Sequence, residues 1–367
     1  LPDSFEGDLN AQVAACHIGR RRLISLSEKY GAENIKYIFA ELLDRSELMT
    51  RNAIKELPNG IFSHSDYLDN DGVDLDAAIK IKVDVKIDAE EIHLDFTGTN
   101  KQVKGPFNLM PSGAYAAAYF AVHAMINSDI PINGGCFRPI SLNLPVRSIV
   151  NPQEPAAVNA RTSTMKRVAG CITSALGKAD PPRAVADAAG ELLLLAFGGE
   201  RTNGSRYVVG ELIASGSGAS EGMDGVDVIE TDGTNCMNLP IEALELDVPI
   251  RINKTELRKG SGGPGKFRGG LGIIREYEIL NGDVIFTHRG ERHTYAAQGI
   301  SAGGAGALAR SVIYRADGST EVINSKTIQK LEPGDRVVVE TAGGGGYGDV
   351  RERNAQSVNA DQLNRKC

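Results

Sequence analysis

The sequence predicts an α+β fold, with a mixed helical and antiparallel-sheet first half and a β-rich second half. Residues 9–57 carry apolar side chains at helical spacing, and residues 79–96 switch to an alternation of apolar and polar side chains. Beyond residue 198 the helical spacing gives way to short apolar runs between glycine-rich turns. The 367 residues allow two or three domains. We expect a mixed α/β domain over 1–200, a glycine-rich β domain over 201–350 and a polar, frayed tail over 351–367.

The helices of the first half are predicted from this spacing. Two of them fill residues 9–57 and are separated at Gly31, and a third covers the alanine-rich residues 111–127. Two more are predicted over residues 163–178 and 183–197, on either side of the pair Pro181-Pro182. The second of these includes the apolar run 192–197.

A strand hairpin is predicted after the second helix. Ile79, Ile81, Val83, Val85 and Ile87 alternate with charged residues, as in a strand with one buried face. Residues 92–96 alternate in the same way, and residues 88–91 supply the turn between the two strands. A further apolar strand is predicted at 140–144.

The composition argues against several classes of protein. Forty basic against 47 acidic residues give a net charge of −7, which argues against binding nucleic acid by neutralising phosphates. No run reaches the roughly 18 apolar residues of a transmembrane helix, and the first residues lack a signal-peptide pattern. Five cysteines, an odd number without a Cys-x-x-Cys pair, favour a reduced, cytoplasmic location.

Two glycine-rich segments, 260–265 and 343–348, match the spacing of a dinucleotide-binding loop. Such a loop must connect a strand to a helix whose N-terminus receives the phosphates, and neither segment starts a helix. No Walker A sequence occurs. The glycines therefore indicate tight turns and close packing in a β domain, with an anion-binding nest over 260–265 as the alternative.

Residues 287–293 place two histidines, two arginines and a glutamate together after a predicted strand. The cluster contains His288, Arg289, Glu291, Arg292 and His293. These residue types in one segment predict a site for an anion or a metal. The alternative is an ordinary solvated loop.

Six blocks, taken in order, make the chain resemble the hydantoinase B/oxoprolinase family over residues 5 to about 352. The blocks are residues 7–15, 95–99 followed by Asn108, 133–140, 151–156, 262–272 and 343–349. The family includes B subunits of ATP-dependent N-methylhydantoinases, the second half of 5-oxoprolinases and alpha subunits of acetone carboxylase-type enzymes. The resemblance implies a B-type subunit, or its larger C-terminal part, of an ATP-dependent cyclic amide hydrolase.

The resemblance also implies a hetero-oligomer with a small-molecule substrate. A hydantoinase A-type partner subunit would hold ATP and Mg and phosphorylate the substrate oxygen, which activates an otherwise unreactive amide. A divalent metal (Zn, Mn or Fe) is implied for an N-terminal region of the family that lies outside this sequence, so no metal ligand is assigned. Two alternatives stay open: an alpha-type subunit of an ATP-dependent ketone (acetone or acetophenone) carboxylase, and a non-catalytic scaffold subunit.

The matching blocks supply the candidate site residues. We expect Asp8, Asp95 and Arg138 to be catalytic, because a carboxylate can act as general base and a guanidinium can hold a carboxylate or phosphate. The expected substrate-binding residues are Gln12, Thr97, Asn108 and Asn133. The alternative is structural, with Asp8 as a helix cap and Asn133 as a turn former.

Overall fold

The computed structural model describes residues 2–126, 129–201 and 204–367 of the chain. The helices are α1 (Pro2–Tyr30), α2 (Ala32–Lys55), α3 (Pro111–Ile126), α4 (Arg161–Ala179), α5 (Ile241–Asp247) and α6 (Ala355–Leu363). The strands are β1 (Gly60–Leu68), β2 (Ile79–Asp88), β3 (Glu91–Asp95), β4 (Ile140–Asn143), β5 (Leu193–Glu200), β6 (Arg206–Ile213), β7 (Ile250–Leu257), β8 (Ile273–Ile279), β9 (Val284–Arg289), β10 (Arg310–Tyr314), β11 (Thr320–Ile323), β12 (Lys326–Leu331) and β13 (Arg336–Glu340). The predicted α+β class is confirmed.

The first half contains one sheet covered by helices. Its strand order is β1-β2-β3-β4, antiparallel except for the parallel pair β3–β4. The alternation predicted for β2 is confirmed, since Ile79, Ile81, Val83, Val85 and Ile87 are all buried. Helices α3 and α4 pack together on this sheet and share its hydrophobic core.

The helix predictions before residue 180 are confirmed. α1 and α2 are separated at Gly31, whose φ of 82° lies in the left-handed region that glycine adopts without strain. α3 and α4 follow the predicted positions, although residue 127 of the predicted third helix lies outside the described residues.

The second half is a sandwich of two antiparallel sheets. One sheet has the order β12-β9-β5-β6 and the other the order β11-β10-β13-β8-β7. Apolar side chains from both sheets, including Phe197, Tyr277 and Phe286, interdigitate in a second hydrophobic core. The first core ends at Ala179 and the second begins at Leu193, while the predicted division at residue 200 stays a prediction.

The helix predicted over 183–197 is wrong. A single short 3-10 turn, Pro181–Arg183, is followed by extended chain and then by β5. A six-residue apolar run does not distinguish a helix from a buried strand by its spacing. The segment forms a strand because it pairs with β6 and β9, which come later in the chain.

The tail contains a helix rather than a frayed end. Helix α6 starts at the Asn354 cap, whose side chain accepts from the Gln356 amide. Arg353 holds the helix by contacts of 2.7 Å to Asp361 and 2.8 Å to Asp224. These ion pairs fix a segment whose two large apolar residues, Val358 and Leu363, are not buried.

The glycine-rich segments pack backbone against backbone, as the sequence predicts. The amides of Gly260, Ser261 and Gly263 donate to the carbonyls of Lys366, Arg258 and Gly344. These three amides are not free for an anion, whereas no partner is found for the amides of Gly262 and Gly265, so the alternative of an anion nest over 260–265 stays a prediction.

None of the helices in the described ranges is long and apolar enough to span a membrane. The cytoplasmic location stays a prediction.

Replacing Gly344 by alanine is expected to unfold the glycine-rich packing. The added Cβ would lie 1.9 Å from the Ser217 carbonyl oxygen, a clash with backbone that cannot move aside. We expect a loss of more than about 4 kcal/mol in the free energy of unfolding, measured by urea denaturation.

Gly170→Ala is the matched control, because a Cβ at this position in α4 meets nothing within 4 Å. This variant should gain about 0.5–1 kcal/mol from helix propensity. Equal stability of the two variants would contradict the account of the glycine packing.

Candidate active site at the junction of the two cores

The predicted site residues lie in separate places. Asp8 and Gln12 are exposed on α1, one helical turn apart, and Asp8 does not cap the helix, which begins at Pro2. Asp95 and Thr97 lie together at the end of β3. The Asp95 carboxylate accepts from the Thr97 amide at 2.9 Å and from Asn143 Nδ2 at 2.8 Å.

The other predicted residues make local contacts. Asn108 is buried, accepts from the Val103 amide and donates to the carbonyl of Ala157. Asn133 and Arg138 both contact α2. Asn133 Nδ2 donates to Ser46 Oγ, and Arg138 Nη1 donates to the Asp44 carboxylate. The structure thus brings Asp95 to Thr97 and Asn133 to the neighbourhood of Arg138, and does not collect all seven residues. Their roles stay predictions.

A buried ion-pair cluster joins the two halves of the fold instead. Asp66 in β1 lies 2.7 Å from Nη1 of Arg167 in α4 and 2.9 Å from Nη2 of Arg292, which follows β9. Burial alone would raise the pKa of Asp66, but the two guanidinium groups hold it well below its usual range. The carboxylate is therefore charged at neutral pH and fixes both arginines.

Asp69, which follows β1, is hydrogen-bonded to the loop after β9. The Asp69 carboxylate accepts from the amides of His293 at 2.8 Å and Thr294 at 3.1 Å. The Asp69 amide donates in turn to Glu291 Oε2 at 2.9 Å. The end of β1 and the loop after β9 therefore form one rigid unit, although they are more than 200 residues apart.

A cleft of about 540 Å³ opens beside this unit, which is a suitable size for a small molecule. It contains residues of both halves, with Asn70 from the first and His293 and Arg310 from the second. The remaining lining residues are Leu75, Arg258, Thr294, Leu308, Ala309, Val322, Ile323, Asn324 and Ser325.

His293 is the candidate proton acceptor of the cleft. Its Nδ1 lies 3.1 Å from the Glu291 carbonyl oxygen, which only accepts, so Nδ1 carries the proton. Nε2 then has a free lone pair, and within the described part of the chain this atom is buried and has no hydrogen-bond partner, so the side chain must turn toward the cleft before Nε2 can accept a proton there. Burial lowers the pKa of His293, with Asp69 opposing, so the ring is neutral at neutral pH.

Arg310 is the candidate anion-binding group of the same cleft. The side chain is exposed and forms no ion pair with any described residue. The neighbouring Arg258, in contrast, is engaged by the carbonyls of Leu308 and Thr341. A free guanidinium near a neutral imidazole is suited to hold a carboxylate or phosphate next to a proton acceptor.

The structure decides against one of the two interpretations of residues 287–293. His288, Glu291 and Arg292 are buried, so the alternative of a solvated loop is wrong. The sequence patterns do not single out Asp66, Asp69 or Arg167. The adjacent charges Lys166-Arg167 within α4 are the available signal, since both side chains are buried and buried charges require partners.

The implied cofactors do not fit residues of this chain. Among the described residues, no three His, Cys, Asp or Glu side chains are grouped so that they could hold a metal ion. The amides of residues 343–348, and those of Gly260, Ser261 and Gly263, donate to carbonyls and are not free for a nucleotide phosphate.

The fold and the cleft place the chain in a class, that of α+β proteins with a candidate small-molecule site between two cores. Residues 1–350 match the family described as hydantoinase B/oxoprolinase. The β subunit of caprolactamase from Pseudomonas jessenii is 33% identical over 379 residues, covering 98% of this chain and 63% of that protein. The chain belongs to the hydantoinase B/oxoprolinase family.

Two solved structures share the fold. The crystal structure of ATP-dependent caprolactamase from Pseudomonas jessenii has a TM-score of 0.87 at 28% identity, covering 98% of this chain and 64% of that one. Nucleotide-free acetone carboxylase has a TM-score of 0.84 at 18% identity, covering 97% and 54%, which shows the fold alone. The chain spans about 63% of the length of the curated relative described above.

Glu191 makes the stability of this junction depend on pH. It is buried before β5, and its oxygens accept from the Glu291 amide and the Ser215 hydroxyl, each at 3.0 Å. Burial raises its pKa from 4.5 to about 7 despite these hydrogen bonds. The folded state then binds more protons than the unfolded state. The protonated Glu191 carboxyl group therefore contributes its full stability below pH 4.5, and this contribution declines as the pH rises to about 7.

Glu191→Gln should remove this decline. As the pH rises from 4.5 to 7, the wild type should lose about 1–3 kcal/mol of unfolding free energy relative to the variant. Urea denaturation across this range measures it, with Glu242→Gln on the exposed surface as control. Parallel profiles for Glu191→Gln and wild type would contradict the assignment.

Proposed function

We propose that this chain is a B-type subunit, or part of one, of an ATP-dependent amidohydrolase that opens a cyclic amide. The observation that carries the proposal is the family match across residues 1–350. The fold likeness to ATP-dependent caprolactamase supports it. The substrate is a hydantoin, 5-oxoproline or a related lactam, and an A-type partner subunit supplies the ATP-binding site.

The cleft supplies the chemistry that follows activation. Phosphorylation of the amide oxygen on the partner makes the ring carbon electrophilic. Water then adds to that carbon while Nε2 of His293 accepts its proton and passes it to the ring nitrogen. The carbon–nitrogen bond breaks, which opens the ring and leaves an acyl phosphate, and a second water releases phosphate. Arg310 holds the anionic oxygens during these steps.

Two alternatives remain. ATP-dependent ketone carboxylation is the second candidate, because the family that the chain resembles includes alpha subunits of acetone carboxylase-type enzymes. The third is a scaffold subunit without catalytic groups. Asp8, Asp95 and Arg138 remain proposed catalytic residues, and Gln12, Thr97, Asn108 and Asn133 remain proposed substrate contacts, because they lie in blocks that resemble the family.

The test is turnover by the protein assembled with its A-type partner, ATP, Mg and a divalent metal. We expect ATP-dependent opening of a hydantoin, 5-oxoproline or caprolactam ring. The ring-opened acid is measured by chromatography. His293→Gln should lower turnover by about 100-fold or more with assembly intact. His93→Gln, at a half-buried histidine in β3 that does not line the cleft, is the matched control and should turn over as wild type.

Other outcomes separate the alternatives. Carboxylation of acetone without ring opening would replace the hydrolase by the carboxylase. If turnover survives His293→Gln together with alanine at Asp8, Asp95 and Arg138, the scaffold alternative stands.

A further inference from the structure

Helix α1 is left almost uncovered by the rest of the described chain. Over residues 5–30 every side chain is exposed except that of Ser27, which is half-buried. The helix has 29 residues, which corresponds to a length of roughly 43 Å. Helices in proteins owe most of their stability to the packing of an apolar face. A helix of this length with exposed apolar side chains therefore indicates a surface that another molecule covers.

The apolar side chains of α1 form a stripe along one side of the helix. They recur at the alternating spacing of three and four residues that is typical of coiled coils. Residues 5–30 span roughly three and a half heptads, a length at which this repeat predicts a coiled coil. Two positions of the stripe, Gln12 and Gly19, are not apolar. The stripe consists of Phe5, Leu9, Gln12, Cys16, Gly19, Leu23, Leu26 and Tyr30.

The stripe is complementary to a second copy of itself that runs in the opposite direction. Two antiparallel copies of α1 can be aligned with Cys16 of one copy opposite Gly19 of the other. The small residues at this centre let the two helices approach closely, and two-fold symmetry makes every contact occur twice. The facing pairs are then Phe5 with Tyr30, Leu9 with Leu26, Gln12 with Leu23, and Cys16 with Gly19.

The charges of α1 are complementary in the same orientation. Over residues 5–15 the charged residues are Glu6 and Asp8, both acidic. Residues 16–30 carry three consecutive arginines, 20–22, and Lys29 against one acidic residue, Glu28. An antiparallel second copy brings the acidic half of each helix beside the basic half of the other. A parallel second copy would bring the two arginine runs together, and like charges side by side are unfavourable.

We propose that α1 is a dimerisation helix, which pairs through this stripe with α1 of a second copy of the chain in an antiparallel coiled coil. The occupant is a second copy because the apolar stripe and the charges both match themselves when the helix direction is reversed. The inference goes beyond the proposed function, since the stripe contains no lining residue of the His293 cleft. Asp8 and Gln12 are proposed site residues, so no test variant changes them.

The first experiment measures the mass of the 367-residue protein by sedimentation velocity over a range of concentrations. We expect wild type at twice the chain mass of 39.1 kDa. Leu26→Glu places a charge in the stripe of each copy and should raise the dissociation constant of the dimer at least about 10-fold. Ile24→Glu is the matched control and should sediment as wild type, since Ile24 and Leu26 are each 42% exposed and Ile24 lies outside the stripe.

Disulfide formation tests the direction of the pairing. Gly19→Cys places a thiol opposite Cys16 of the other copy, whereas Gly7→Cys places one on the far side of the helix. Both positions have room for a side chain, since an added Cβ meets nothing within 4 Å. With oxidised glutathione as the oxidant, we expect Gly19→Cys to form a covalent dimer through residue 19 of one copy and Cys16 of the other, identified by peptide mass spectrometry. Gly7→Cys should form no disulfide through residue 7.

Three results would overturn the proposal. A monomeric wild type at all concentrations would leave the stripe to a different protein. Equal dissociation constants for Leu26→Glu and Ile24→Glu would place the dimer interface elsewhere. A disulfide between the two copies of residue 19 in Gly19→Cys would show parallel pairing. None of these measurements uses turnover, so their failure is distinguishable from a failure of the proposed function.

Discussion

The fold depends on one largely buried carboxylate, that of Asp66. Asp66 lies in the sheet of the first core, and its two guanidinium partners come from α4 and from the loop after β9. Bringing three charged groups out of water is costly, and the arrangement is stable only because each charge faces its opposite. Removing one partner of such a cluster typically costs about 3–5 kcal/mol. The two cores are therefore coupled by charge.

The candidate active site follows from that coupling. The His293 ring is oriented by the Glu291 carbonyl, and its backbone is held by Asp69 from the other half. The cleft exists only where the two segments meet, because one half supplies Asn70 and the other supplies Arg310. A site assembled in this way requires both cores to keep their relative position, which is what the buried ion pairs provide.

Much of the fold could be predicted from local patterns. The alternation in β2 and the helical spacing around Gly31 are properties of a few neighbouring residues, and the structure has both. The apolar run 192–197 contributes to a strand and not to the predicted helix, because it pairs with β6 and β9, whose residues lie later in the chain. Local spacing carries no information about such pairing.

The site was harder to predict for the same reason. Asp66 and Arg292 are 226 residues apart, and neither has a neighbour in sequence that reveals the contact. Residues 287–293 were recognisable as a charged cluster, but their burial depends on Asp69 and Glu191. The resemblance identified the family from short blocks, and it pointed to Asp95 and Asn108, whose contacts in the structure are local.

The most direct test of the central claim is hydrogen–deuterium exchange on Asp66→Asn. The account predicts faster exchange at residues 69–70, at residues 291–294 and in α4, while β2 and β8 inside the two cores keep their protection. Asp44→Asn, an exposed aspartate paired with Arg138, is the control and should exchange as wild type. Unchanged exchange at the junction in Asp66→Asn would contradict the claim that this carboxylate holds the two halves together.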